Sequence, residues 1–142
     1  MSEDITALLP HRPPMLLVDR VVARGPGRLV AERTVTPGDP WLRAGGFPDA
    51  LLLESWLQAA ALLFGTGGAG LPVVGAVTGV RVLRAVGAED VLRHEVRVLA
   101  RTDDTAVFDG ETTTKGQPVL AVERAVVARR PASAVRRNGG QG

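Results

Sequence analysis

The feature that most constrains this chain is the run ALLLESWLQAAALLF at residues 50–64, which contains no helix breaker and no β-branched residue. Such a run favours helix, with Asp49 placed as its N-cap and Gly65 placed to end it. It is apolar around nearly its whole circumference, so it cannot lie on a wetted surface and the rest of the chain must wrap around it. At 15 residues, interrupted by Glu54, Ser55 and Gln58, it is shorter than the roughly 20 that a bilayer crossing needs, and no membrane span is expected. Whatever apolar surface the wrapping leaves bare invites a second subunit.

The material for wrapping is mostly strand. MLLVDRVVARG, beginning at residue 15, reads as a strand that ends at a Gly-Pro-Gly turn, and RLVAERTVT beyond the turn pairs with it as a hairpin. DITALLP at residues 4–10 is a short helical turn limited by Pro10. After the glycine-rich loop GTGGAGLP come four further strand-like segments, VVGAVTGVRV, VLRHEVRVLAR, TAVFDGETTTKG and QPVLAVERAVVAR, divided by turn signals such as TDD and KGQP. One long helix against about six strands is an α+β arrangement with an antiparallel sheet. Residues 1–130 are expected to form a single domain, and residues 131–142, with little to bury, a disordered tail.

Several function classes drop out on composition. There is no cysteine, which excludes disulfide and thiolate chemistry and permits a reducing, cytoplasmic setting. The opening MSEDITALL carries acids where an export signal would carry Lys or Arg. All but one of the 17 cations are arginine, Lys115 being the exception, and they are scattered among strands with only three Phe and two Trp. Nucleic acid is therefore not expected as a partner, and the arginines read as solvated faces. Two histidines without an acidic cluster give no metal signature, and the glycine loop lacks the Lys-Ser/Thr ending of a phosphate loop.

Glu54 is the chemical puzzle. A carboxylate among Leu51, Leu52, Leu53, Trp56 and Leu57 is costly to bury ionised, so it must be paired, hydrogen-bonded or held protonated. A group in that position suits proton transfer. Gln58 lies four residues on, able to hold the carboxylate or a ligand carbonyl. The residues alone leave a second reading open, in which Glu54 points outward near the helix start and merely suits the dipole.

Three stretches together carry a likeness to a known family: LPHRPPMLLVDRV at residues 9–21, GGFP at residues 45–48, and LLLESWLQAA at residues 51–60, followed by alternating strands. Over residues 5–129 the chain resembles the 3-hydroxyacyl-[acyl carrier protein] dehydratases of the hot-dog fold. The resemblance implies a long central helix wrapped by an antiparallel sheet, a dimer as the basic unit, and substrates of fatty-acid or polyketide assembly. Those substrates would arrive on the phosphopantetheine arm of an acyl carrier protein, with no resident cofactor. It also implies two catalytic residues that meet across the dimer interface. A histidine in a Gly-His-Phe-Pro motif removes the proton beside the thioester carbonyl, and a helix acid on the partner protonates the departing hydroxyl.

By that resemblance Glu54 is the catalytic acid, and Gly46, Phe47, Pro48 and Gln58 fall at substrate-binding positions. Two departures matter. Gly46 stands where the family has its histidine, and Asp49 follows Pro48 directly, so the Pro-rich turn whose backbone N–H polarises the thioester is missing. His11, in PHRPP, is expected to serve packing and turn geometry, and His94, between Arg93 and Glu95, to be an exposed strand residue. The expectation is a dehydratase-like subunit, poor as a homodimer and completed as a heterodimer by a second hot-dog subunit that brings the histidine. A hot-dog thioesterase and a non-catalytic scaffold or acyl-binding subunit are the rivals. Arg43, Arg81 or Arg84 at the tunnel mouth would receive the acidic carrier protein.

Overall fold

The computed structural model describes residues 4–65 and 71–130. The tail expected at residues 131–142 and most of the glycine-rich loop lie outside the described residues. The elements, in order, are α1 (Ile5–Leu8), β1 (Arg20–Gly25), β2 (Arg28–Thr34), α2 (Asp49–Phe64), β3 (Leu71–Val82), β4 (Val91–Arg101), β5 (Thr105–Thr114) and β6 (Gln117–Arg130). All pairings are antiparallel and the sheet order is β1-β2-β4-β5-β6-β3, which leaves β1 and β3 as the edges. The sheet curves around α2, which packs against β2, β3, β4, β5 and β6. The fold is the hot-dog arrangement that the sequence led us to expect.

Alternation explains the strands. In β5 the inward residues Ala106, Phe108, Gly110 and Thr112 are buried while their neighbours are not, as a sheet with one face on a helix requires. Its connection to β6 is a two-residue turn in which Lys115 and Gly116 both take positive φ, 52° and 76°, the geometry that a tight hairpin demands. Trp56, fully buried, fits beneath β4 and β5 because residue 110 is glycine: a Cβ there would lie 3.0 Å from the indole and 1.9 Å from the Glu95 carbonyl oxygen. That same carbonyl accepts the Trp56 indole N–H at 3.0 Å.

Three local expectations are corrected. The first strand starts at Arg20 rather than at residue 15, because the backbone at Leu17 is taken by side chains of α2 and not by a neighbouring strand. The N-cap of α2 is Pro48, with no side-chain cap, and Asp49 is the first helical residue, where its charge still favours the positive end of the dipole. The arginines, read as solvated, are partly structural. Arg33 and Arg129 are each only 8% exposed, and Arg33 pairs with buried Asp39 while lying over the Phe47 ring.

At the C-terminal end of α2, three arginines from separate strands meet the carbonyls that no helical N–H can reach. Arg24 donates to Leu62 (3.2 Å), Arg101 to Phe64 (2.8 Å) and Arg129 to Gly65 (3.1 Å). Arg101 and Arg129 also lie over the Phe64 ring. Their charge opposes the negative end of the helix dipole, which has no basic residue of its own in its last turn.

Candidate active site

Within α2 the residues Glu54, Leu57, Gln58 and Ala61 recur at helical spacing and line one cavity of about 230 Å³. Its other walls are His11 from the opening segment and Pro72, Val73 and Val74 from edge strand β3. Glu54 therefore faces a cavity at the sheet edge, neither sealed in the core nor free in solvent, with 36% of its side chain exposed. Gln58 Nε2 donates toward Glu54 Oε1 at 3.4 Å, and His11 Nε2 lies 3.6 Å from the same oxygen.

Gln58 is used differently from the expectation. Its carbonyl accepts the Leu17 N–H at 2.8 Å and its amide donates to the Met15 carbonyl at 2.8 Å, so its side chain, 2% exposed, pins the opening segment to α2. What remains of its amide points to Glu54, leaving no free group for a ligand carbonyl. Phe47, expected beside the substrate, is in the core at 4% exposure, because its ring packs under Arg33 and its N–H is held by the Val86 carbonyl at 2.7 Å. Gly46 and Pro48 are half-buried and, like Phe47, do not line the Glu54 cavity.

The reason lies in the turn. Arg43 and Gly46 exchange backbone hydrogen bonds at 3.0 and 2.8 Å, and Gly46 takes φ +107°. A Cβ at this position would lie 2.5 Å from the Val86 carbonyl oxygen. The turn thus excludes any side chain where the family resemblance would place its base. Neither Arg43 nor Arg84 lines the cavity, and Arg81 lines a separate one with Arg97, Asp109, Glu111 and Glu123.

The two histidines reverse their expected parts. His11 comes to the acid, as above. His94 is fully buried: its Nδ1 lies 2.7 Å from Thr112 Oγ1 and its Nε2 2.7 Å from Ser55 Oγ. Ser55 gives its one proton to the Leu17 carbonyl at 2.6 Å, so Nε2 must donate to Ser55 and Nδ1 must accept from Thr112. That fixes one neutral tautomer and ties the opening segment, α2, β4 and β5 together. Ser55 in mid-helix beside an alternating strand histidine is the only sequence signal for it.

Burial, and secondarily the Arg33 charge, pushes His94 down from 6.5 to about 3. Between those values the unfolded chain binds a proton that the folded chain does not, so stability is unaffected by His94 above its unfolded value and falls as pH drops below it. The expected fall is about 1.4 kcal/mol per pH unit. Denaturant unfolding from about pH 7 down to about pH 4 should show this slope in the wild type and roughly one proton less of it in His94→Gln. Equal slopes would mean that the folded protein carries His94 charged.

Among the described residues no group of three or more His, Cys, Asp or Glu could hold a metal ion, and no helix is long and apolar enough to cross a membrane.

Comparison with known proteins places these features. The family model of the ApeP-like dehydratases, described as ApeP dehydratase, matches residues 3–135. The 3-hydroxyacyl-[acyl-carrier-protein] dehydratase FabZ of Anaeromyxobacter sp. strain Fw109-5 is 37% identical over 134 residues, spanning 80% of this chain and 84% of the relative. The FabZ of Roseiflexus sp. strain RS-1 is 31% identical, spanning 84% and 94%. Among solved structures, the dehydratase heterocomplex ApeI:P from Xenorhabdus doucetiae superposes with a TM-score of 0.80 at 20% identity, covering 91% of this chain and 92% of that one.

Proposed function

The chain belongs to the ApeP-like dehydratases, hot-dog proteins related to FabZ, and from that premise we propose that it is the acid-bearing subunit of a two-chain 3-hydroxyacyl-[acyl carrier protein] dehydratase. Its substrates are 3-hydroxyacyl thioesters of fatty-acid or polyketide assembly, delivered on the phosphopantetheine arm of an acyl carrier protein. The observation that carries this reading is a pairing of opposites: Glu54 is held in a cavity at the sheet edge, while the turn at Gly46 cannot hold an imidazole.

The chemistry needs both an acid and a base. The base takes the proton from the carbon next to the thioester carbonyl, and the C–H electrons become the new double bond. Glu54 gives its proton to the hydroxyl on the next carbon, which leaves as water. With no side chain at position 46, the base comes from another subunit, a histidine-bearing hot-dog chain seated against β3. That strand has 12 residues, an unpaired edge, and exposed Val73, Val74, Val80 and Val82, a surface that a solitary subunit would not leave bare. The heterocomplex nature of the similar ApeI:P assembly supports pairing with an unlike chain.

Reconstitution tests the proposal. A 3-hydroxyacyl-carrier thioester should yield enoyl product only when this chain is mixed with a histidine-bearing hot-dog subunit, and little with this chain alone. Free thiol released by this chain alone would mean thioester hydrolysis and would overturn the reading.

A further inference from the structure

His11 has no part in the chemistry just described, yet separate contacts set it beside the acid. The Arg12 guanidinium donates to the carbonyls of Leu9 (2.9 Å) and His11 (2.7 Å), closing the backbone around the histidine. Gln58 then fixes Met15 and Leu17 to the helix turn that carries Glu54, so one amide sets the spacing between the two groups. Nε2 ends 3.6 Å from Glu54 Oε1, while Nδ1 is buried without a partner. A packing histidine looks like His94, with both nitrogens bonded. An unmade buried hydrogen bond is destabilising, and a site that tolerates one calls for an explanation beyond packing.

Resting on the dehydratase reading of Glu54, we propose that His11 is the positioning residue of that acid: its Nε2–H holds the carboxyl group in the cavity and, once the acid has spent its proton on the leaving hydroxyl, returns one to it. The bookkeeping of atoms closes. Glu54 transfers its proton to the hydroxyl and water departs; the carboxylate takes the Nε2 proton; the imidazole, left with its Nδ1–H, recovers a proton at Nε2 from solvent. Exposure of 29% for the His11 side chain and 36% for that of Glu54 allows this exchange. The 3.6 Å separation is longer than a hydrogen bond, and such contacts commonly tighten when substrate fills the site.

The surroundings keep the pair to itself. Arg12 on the opening segment turns its guanidinium to backbone carbonyls, Gln58 on α2 is neutral, and β3 contributes Pro72, Val73 and Val74, none of which titrates. Among the described residues lining the cavity, His11 and Glu54 are the only ionisable ones.

Imidazole NMR of the full chain reads the pairing without any activity assay. The chain has two histidines, and since His94 is fully buried with both ring nitrogens bonded, the solvent-accessible ring signals belong to His11. Its Nε2 resonance should move in Glu54→Gln while that of His94 stays in place; an unmoved His11 resonance overturns the pairing. In the reconstituted two-subunit enzyme, His11→Gln should lower kcat roughly tenfold with KM within about twofold. The first turnover, which uses the proton already on Glu54, should fall less in the variant than steady-state kcat does. An equal loss in the first turnover and in the steady state would overturn the proton return, whereas unchanged turnover in Glu54→Gln would overturn the dehydratase reading itself.

Discussion

Glu54→Gln in the reconstituted enzyme is expected to lower kcat by about 10²- to 10⁴-fold, the range that a positioned general acid contributes. The substitution is well suited to isolate the proton. Gln keeps a carbonyl that can accept from Gln58 Nε2, keeps the volume, and loses only the capacity to give up a proton to a departing hydroxyl. The fold should be indifferent, since the side chain is over a third exposed and the substitution leaves no buried charge behind; a change within about 0.5 kcal/mol is expected. Chemical denaturation of both proteins, run beside single-turnover assays on a 3-hydroxyacyl-carrier substrate, separates the two effects. Turnover retained to within a few-fold would leave Glu54 without a catalytic part and favour a scaffold or acyl-binding role.

Restoring the family's histidine at its expected place should fail, and at a cost. Gly46→His must either force a non-glycine residue to keep φ +107° or move the Arg43–Gly46 turn, and its Cβ would press on the Val86 carbonyl at 2.5 Å. That carbonyl also accepts the N–H of Phe47, so yielding there disturbs a ring buried under Arg33. A loss of about 3 kcal/mol or more is expected, from backbone strain and forced repacking together. It should appear as a lower denaturation midpoint, with no dehydration by the chain alone. Gly45→Ala is the control, because a Cβ at residue 45 meets nothing within 4 Å. Should the histidine variant fold as well as the wild type and dehydrate unaided, the turn is adaptable and the need for a partner's base disappears.

Much of the fold was legible along the chain. The helix over residues 50–64, the β1–β2 hairpin, the KG turn and the four later strands rest on spacings of two to four residues, and the structure follows them to within a residue or two except at the first strand. Glu54 was legible as chemistry because a carboxylate in so apolar a helix needs a reason. The histidines were not. His94 alternates on β4 like any strand residue, and nothing near it in sequence indicates that Ser55 and Thr112 will close around both its nitrogens.

The sequence by itself therefore determined which segments are helix and strand, which faces are apolar, that one acid would stand out, and that position 46 lacks an imidazole. Only the tertiary structure decided where those groups meet. It brought His11 to Glu54, spent Gln58 on the backbone of Met15 and Leu17 rather than on a ligand, and set the Val86 carbonyl against Gly46. The physical reason is range. Helix and strand patterns arise from neighbours a few residues apart, whereas these contacts join residues some forty apart, and their geometry exists only once sheet register and helix packing have closed the core.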